Sequence, residues 1–499
     1  MRGEIRFLLD DAPRRLTDLD PTMTVLDYLR QMEHLTGTKE GCNEGDCGAC
    51  TVVLARPHQG RLRYRAVNAC IQFVGTLDGC QLLTVEHLAK AGKLHPVQQA
   101  MVDCHGSQCG FCTPGFVMSL FAMTRDHAAC PDEDAIDETL AGNLCRCTGY
   151  APIVRAAQQA YEHDPCDDAF AEHEAATLKR LAALQDGDGI ALADALGERR
   201  FYAPATLDEL AALYERAPEA MLVSGATDVG LWVTKQLKRP QTVIYTGRVG
   251  ELQRMEEKGD ALEIGAGVTY SDARAAIMRH YPDMGEVIRR LGSVQIRNSG
   301  TLGGNIANGS PIGDSPPLLI AAGATLHLRK GGKRRSLPLE DFFLDYGKQD
   351  RAPGELVERV TLPLPAAGSI FRAYKVSKRF DQDITAVLGA FHLTLDGGRV
   401  TEARLAYGGL AGIPKRAAAA EAALAGRPWT EETLAQAMAA LAEDFQPLTD
   451  WRASADYRLK VAQNLLRRCF IETTRPETAT RLVGPGAGAA AAGFALPPA

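Results

Sequence analysis

The sequence predicts a multidomain α+β protein: a small β-grasp domain, an all-α domain, and two mixed α+β domains after them. Three observations carry that prediction. The 499 residues are several domains' worth of chain. Twelve of the 13 cysteines precede residue 170, with Cys469 alone beyond, so the N-terminal third differs chemically from the rest. The hydrophobic pattern also changes character along the chain, from strand and helix, to helices only, to a mixture. The boundaries read as 1–86, 87–163, a linker at 164–195, 196–368, 369–475 and a disordered tail at 476–499.

Ile5, Phe7 and Leu9 alternate with polar residues, as in a half-buried strand. Thr24 then precedes a short apolar run with Asp27 three residues on, a capping-box-like helix start. A Gly/Cys-rich loop at 41–50 leads into an apolar strand at 51–54, which completes the β-grasp pattern. Beyond it, His95-Pro96 opens a helix, and Thr113-Pro114 reads as a cap followed by proline at the first helical position. Further helices are predicted at 132–140, stopped by Gly142, and at 152–161. The linker is rich in Ala, Asp and Glu, with no clear strand and room for one helix. From Phe201 the pattern gives a helix at 206–217, a strand at 220–224, a Gly loop, a helix at 228–236 and a strand at 242–246. Strands separated by glycine pairs follow. Asp396-Gly397-Gly398 joins two strand runs within 370–408 as a hairpin, and three helical patterns follow at 415–425, 430–443 and 451–472. Residues 484–499 are low-complexity Gly, Ala and Pro.

Composition excludes several classes. A formal charge of −7 without a long basic run argues against nucleic acid or an anionic membrane as a partner. No apolar stretch reaches the ~18–20 residues of a membrane span. The first residues carry acids and no small-residue cleavage site, so a cytoplasmic protein is predicted. An odd cysteine total in a large chain of this kind points to metal or redox use rather than a disulfide framework.

Cys42, Cys47 and Cys50, with Cys70 further on, have the C-x4-C-x2-C…C spacing of plant-type [2Fe–2S] sites. Three thiolates from one short loop require a tight backbone, which Gly41, Gly45 and Gly48 permit. A tetrahedral zinc site is the other chemistry open to such a set. Cys109 and Cys112, with Cys145 and Cys147, form C-x2-C…C-x-C at helix ends, compatible with a second cluster or with zinc.

In the mixed region, Leu222, Val223, Ser224, Gly225, Ala226, Thr227, Asp228 and Val229 place a glycine turn between a strand and a helix, where N–H groups and a helix end can face a pyrophosphate. A second element, 301–306, brings Gly303 and Gly304 close to any ligand, with Thr301 and Asn305 as hydrogen-bonding groups. Asp314 is placed to accept from ribose or ribityl hydroxyls. No G-x-G-x-x-G follows a strand, so a Rossmann nucleotide domain is not expected.

The segments Gly41-Cys-Asn-Glu-Gly-Asp-Cys-Gly-Ala-Cys50, Gln108-Cys-Gly-Phe-Cys-Thr-Pro-Gly115 and Gly142-Asn-Leu-Cys-Arg-Cys-Thr-Gly-Tyr150 resemble the xanthine dehydrogenase/aldehyde oxidase family of molybdenum hydroxylases. The resemblance covers roughly residues 4–475 and implies two [2Fe–2S] clusters, held by Cys42, Cys47, Cys50 and Cys70 and by Cys109, Cys112, Cys145 and Cys147. The helical-domain cluster would lie nearer the molybdenum cofactor, with Gln108 close to its pterin. It also implies FAD in a vanillyl-alcohol-oxidase-like domain. There Leu222 to Val229 would cradle the pyrophosphate, Thr301, Gly304, Asn305 and Asp314 the dinucleotide, and Val357 and Lys375 the isoalloxazine. The pattern departs at Ala226, where a second glycine is common, and at Leu291, where animal xanthine oxidoreductases carry an aromatic. Residues 375–383 resemble a loop that influences NAD access. Cys80, Cys104, Cys130, Cys166 and Cys469 match no ligand position and read as buried apolar thiols.

By that resemblance the chain has no catalytic residue of its own for substrate oxidation. It is the electron-transfer subunit, closest to that of bacterial two-subunit enzymes, serving a molybdenum cofactor-binding large subunit that hydroxylates xanthine or hypoxanthine. Electrons would pass through both clusters to FAD and then NAD+, in a dimer of heterodimers. Three rivals are an aldehyde- or N-heterocycle-oxidising relative with another acceptor, a stand-alone flavin ferredoxin reductase, and a non-enzymatic cluster-binding protein.

Overall fold

The computed structural model describes residues 1–162 and 168–481. They form two compact units, Met1–Leu252 with Gly292–Thr301, and Gln253–Leu291 with the chain from Leu302 on.

In the first unit a five-stranded sheet runs in the order Ala12–Leu16, Ile5–Leu9, Gln81–Leu83, Thr51–His58, Arg61–Asn68. Only Ile5–Leu9 and Gln81–Leu83 pair in parallel. Alternation puts Ile5, Phe7, Leu9, Val52 and Leu54 in one core. Leu8, Val53, Ala55 and Leu83 point the other way, into a second core with Phe116, Leu120, Phe121 and Ile153 of the helical segment. Two covered faces explain why 51–55 reads as continuously apolar rather than alternating.

Thr24 caps as predicted, its hydroxyl accepting from Asp27 N at 3.0 Å, but only Val25–Asp27 is α-helical and Tyr28–Met32 winds wider as a π-helix. The helical segment comprises Pro96–Asp103, Thr113–Asp126, Glu133–Leu140 and Ala151–Gln159, with His95 and Asp132 as caps. One cap differs from the sequence reading. Thr113 is already helical and Cys112 occupies the N-cap, so a candidate ligand thiol begins that helix.

The linker holds more than the sequence showed. Asp168 caps the helix Ala169–Leu184 through Phe170 N, and Ile190–Ala193 is a strand paired with Arg200–Ala203. Four residues, two of them alanine, carry too little β-propensity to mark a strand. Arg200–Ala203 continues in parallel to Thr242–Tyr245, and that strand to Met221–Val223. Of the predicted linker and tail, 164–167 and 482–499 lie outside the described residues, as does Cys166.

The second unit contains the all-antiparallel sheet Met255–Lys258, Ala261–Gly265, Leu356–Pro363, Thr325–Lys330, Lys333–Pro338. Around it, where glycine-separated strands were expected, stand the helices Tyr270–His280, Pro282–Arg289, Leu302–Asn308 and Ser315–Ala321. Leu302–Asn308 and Ser315–Ala321 make too few turns to establish a 3.6-residue period, whereas the eleven-residue Tyr270–His280, capped by Thr269, carries a readable signal that the expectation of strands overlooked. The strands Ser369–Val376, Val387–Asp396 and Arg399–Gly408 form a meander on which Ala418–Leu424, Glu431–Asp444 and Ala455–Thr474 pack, burying Phe391, Tyr407, Trp429, Leu466 and Phe470. The predicted hairpin at Gly397 and Gly398 closes the last two strands. Residues 476–481, assigned from sequence to the tail, are tied down: Arg481 Nη1 donates to Asp283 Oδ1 and Nη2 to Glu472 Oε2, both at 2.6 Å. Against its own burial, Glu472 is held at a pKa of about 2, chiefly by Arg481. Among the described residues no helix is long and apolar enough to cross a membrane.

Candidate functional site

The first thiol set sits where the strand Thr51–His58 begins, on the loop that precedes it. Cys42 N donates to Cys47 Sγ at 3.3 Å, and Cys47 N and Asp46 N return bonds to Cys42 Sγ at 3.3 and 3.4 Å. Asn68 Nδ2 lies 3.8 Å from Cys50 Sγ. The thiols also bond one another. Cys47 and Cys70 donate to Cys42, which pulls its pKa well below the ordinary thiol value and pushes theirs up. Cys50 is likewise lowered by Cys70. These contacts link all four sulfurs. Gly41 must lack a side chain, because a Cβ there would lie 2.7 Å from Cys47 Sγ. Lys235 Nζ donates to the Cys42 carbonyl at 2.5 Å and stands 3.7 Å from Glu44.

In the second set, Cys109 pairs with Cys147 and Cys112 with Cys145. The Phe111 N–H, then Cys147, lowers the pKa of Cys109, and Cys147 rises in exchange. Burial, aided by Cys145, raises Cys112 to about 12. Cys145 is lowered despite burial, chiefly by Thr148, whose hydroxyl is 3.1 Å and whose N is 3.5 Å from the sulfur. Cys145 N donates to Tyr150 Oη at 3.0 Å, which fixes the C-x-C turn. The two sets meet directly: Leu144 N donates to the Cys47 carbonyl at 2.9 Å.

Among the described residues no three His, Cys, Asp or Glu side chains are gathered to hold a metal ion. In the first set the sulfurs contact in a chain, Cys47 to Cys42 to Cys70 to Cys50, and in the second they contact in two pairs. Paired thiols with N–H groups aimed at them suit two sulfide-bridged irons better than the closed four-ligand cage of structural zinc. Of the unassigned cysteines, Cys80 and Cys469 are buried, with burial raising them to about 11 and about 12. Cys104 is half-buried and donates to Gln159 Oε1 at 2.8 Å. Cys130 is exposed, contrary to the expectation of a buried thiol, because it lies in the loop between two helices.

The candidate flavin residues divide between the units. In the first, 222–229 run from the end of Met221–Val223 to the helix Val229–Thr234. That helix has six residues, too few for the dipole argument made from sequence, so the loop backbone carries any anion binding here. Gly225 is required sterically, since a Cβ would sit 1.8 Å from Ser299 O. Ala226 is buried at φ 57°, a conformation L-residues adopt at a cost. Thr301 belongs to the same unit and is buried.

In the second unit, Gly304 and Asn305 lie in Leu302–Asn308, and Asn305 Oδ1 accepts from Ser315 Oγ at 2.6 Å. Ser315 in turn meets Tyr270 Oη at 3.0 Å. Asp314 and Lys375 come together: Lys375 Nζ donates to Asp314 Oδ2 at 2.7 Å and to the Arg290 carbonyl at 3.3 Å, with Thr385 Oγ1 on the other Asp314 oxygen. Val357 is buried opposite Leu328, beside the bulge in the strand Leu356–Pro363. In the loop 377–384, Phe380 lies under Arg290, whose guanidinium carbon is 4.1 Å from the ring centroid.

Four family descriptions match in order along the chain. They are a 2Fe-2S iron–sulfur cluster binding domain at 8–74, a [2Fe-2S] binding domain at 84–158, an FAD binding domain in molybdopterin dehydrogenase at 197–365, and a CO dehydrogenase flavoprotein C-terminal domain at 372–473. Xanthine dehydrogenase of Emericella nidulans is 34% identical over 88% of this chain and 36% of its own length. Aldehyde oxidase 4 of Cavia porcellus is 30% identical over 95% of this chain and 39% of its own. Among solved structures, carbon monoxide dehydrogenase from Hydrogenophaga pseudoflava matches with a TM-score of 0.52 at 30% identity, over 54% of this chain and 94% of that one. The chain belongs to the xanthine dehydrogenase/aldehyde oxidase family of molybdenum hydroxylases.

It is the iron–sulfur and flavin, electron-transfer part of such a hydroxylase, and it spans little more than a third of the length of these curated relatives. Several residues that serve this molybdenum hydroxylase chain escaped the sequence reading. Asn68 and Lys235 reach the first thiol set from outside its motif. Asn68 stands two residues before Cys70, a proximity that could have marked it; nothing local marks Lys235. Gln295, Ser119 and Asn143 form a buried polar node between the two sets.

Proposed function

We propose that this chain is the iron–sulfur and FAD subunit of a cytoplasmic xanthine dehydrogenase. It takes electrons from a molybdenum cofactor subunit that hydroxylates xanthine or hypoxanthine and hands them to NAD+. The observation that carries the electron-transfer reading is the 2.9 Å bond from Leu144 N to the Cys47 carbonyl, which joins the two four-thiol sets within one compact unit. The xanthine and NAD+ assignments rest on the 34% identity to a xanthine dehydrogenase over most of the chain. Division among subunits has support in the solved carbon monoxide dehydrogenase, where 94% of a chain answers to about half of this one. A dimer of such pairs is the assembly proposed.

In this reading Cys42, Cys47, Cys50 and Cys70 hold one [2Fe–2S] cluster, and Cys109, Cys112, Cys145 and Cys147 the other. Residues 222–229 with Thr301, Gly304, Asn305, Asp314, Val357 and Lys375 hold FAD. When bound, the clusters carry single electrons and the flavin exchanges them for a two-electron hydride. The chain's own task is positioning and tuning. The N–H groups of Asp46 and Cys47 disperse charge on Cys42 Sγ, as the Thr148 hydroxyl and N–H do on Cys145, which favours the reduced state. Asn305 and Asp314 are held by Ser315 and by Lys375 and Thr385, so their polar atoms keep fixed directions.

A second reading, an aldehyde-oxidising relative, is favoured by the 95% coverage of this chain by an aldehyde oxidase. The purified, reconstituted chain should hold about four irons and one FAD, with two distinct EPR signals when reduced. Cys47→Ser should remove one signal and Cys147→Ser the other. Loss of both signals from either substitution, or bound zinc in place of iron, would overturn the assignment.

A further inference from the structure

The segment Gly292–Thr301 lies in sequence between stretches of the second unit, yet it packs wholly within the first. Ile296 Cδ1 would stand 3.2 Å from a Cβ at Gly45, inside the first thiol loop. Arg297 Nη2 donates to Glu138 Oε1 of the helical segment at 2.8 Å, and Asn298 Nδ2 to the Ala66 carbonyl at 2.9 Å. This ten-residue excursion therefore grips both cluster-bearing domains.

At its centre Gln295 is 1% exposed. Its Nε2 faces Ser119 Oγ at 3.1 Å, Asn143 Oδ1 at 3.2 Å and Thr51 Oγ1 at 3.3 Å. Ser119 Oγ donates to Asn143 Oδ1 at 2.7 Å, while Thr51 Oγ1 and Asn143 Nδ2 both donate to the Gly48 carbonyl, at 2.6 and 3.1 Å. Thr51 follows Cys50, Asn143 precedes Cys145 by two, and Ser119 is on the helix that Cys112 caps. The Thr51 and Asn143 arms thus end within two residues of a thiol ligand, and the Ser119 arm lies about two turns along the helix from Cys112. Gln295 Oε1 is buried without a partner, against Gly142, where a Cβ would come within 2.0 Å. Leaving an acceptor buried without a partner opposes stability, while the Nε2 contacts to Ser119, Asn143 and Thr51 favour it. What the carboxamide supplies, and an apolar side chain of its size cannot, is this set of contacts to three separate arms.

We propose that Gln295 is a positioning residue that fixes the separation of the two clusters by locking the Thr51, Ser119 and Asn143 arms together, and with them the Leu144 to Cys47 bond. The inference rests on the two-cluster reading above. Electron transfer between centres falls exponentially with their distance, so a node that holds the spacing sets the rate between them.

The test uses the reconstituted chain and two substitutions that touch no ligand, Gln295→Met and Ser119→Ala. Both should retain iron, sulfide and FAD. Gln295→Met should alter the magnetic interaction between the two reduced clusters seen by EPR and slow inter-cluster equilibration after rapid reduction. Ser119→Ala should move both readouts in the same direction by less. Unchanged interaction and rate in both variants would overturn the proposal, as would loss of a cluster from both, which would mean a purely structural role. Failure of the unsubstituted chain to show two interacting clusters would instead bring down the two-cluster reading, and this inference with it.

Discussion

Gly225 and Ala226 are neighbours under opposite constraints. The first has no room for a methyl group, because the Ser299 carbonyl passes 1.8 Å from where it would lie. The second holds a methyl in a backbone conformation, φ 57°, that glycine adopts freely. Gly225→Ala should therefore cost about 3 kcal/mol through backbone displacement and should impair FAD retention. Ala226→Gly relieves about 1 kcal/mol of left-handed strain but gives up some entropy and one buried methyl, so it should stay within about 1 kcal/mol of neutral. Chemical denaturation and bound-flavin absorbance of the two variants check the contrast. Equal effects would mean that the loop does not press on 299–300. The same scale shows what the sequence left readable. Ala226 was recognisable as a departure, but its strain depends on a dihedral angle that no motif states.

The glycines on the inner faces of the elements tell a similar story at larger scale. Gly115 lies on the helix Thr113–Asp126, where alanine would ordinarily be better by about 1 kcal/mol. Here a Cβ at Gly115 would come 2.2 Å from the Gly48 carbonyl, the acceptor that Thr51 and Asn143 share. Gly115→Ala should thus invert the usual sign and destabilise by about 1–2 kcal/mol, read as a lowered Tm. A raised Tm would show that the two cluster-bearing segments are not in contact there. Long or well-capped elements were legible: the helices opened by His95 and Asp132, and the hairpin at Gly397, lie close to where their local signals put them. Leu302–Asn308 and Ser315–Ala321 were not, because seven residues make too few turns to show a period. Ile190–Ala193 is a strand because Arg200–Ala203 pairs with it and Arg2 bridges its other side. Among site residues, the cysteines were legible because ligand spacing is local chemistry. Gln295 was invisible, since its meaning comes from Thr51, Ser119 and Asn143, each more than 150 residues away in sequence.

As a whole, the molecule gathers the eight candidate ligand thiols into the first unit and the Asp314–Lys375 pair into the second, with the remaining flavin candidates divided between the two. Both groups are needed if the chain converts single electrons into hydride, and neither has a use without a two-electron donor and acceptor. On the function proposed above, this chain connects its clusters through FAD to NAD+. The decisive measurement is an anaerobic titration of the purified, FAD-loaded protein with NADH, followed by visible absorbance and EPR. NADH should bleach the flavin and bring up the signals of both reduced clusters. Reduction by dithionite alone, with FAD demonstrably bound and NADH without effect, would contradict it.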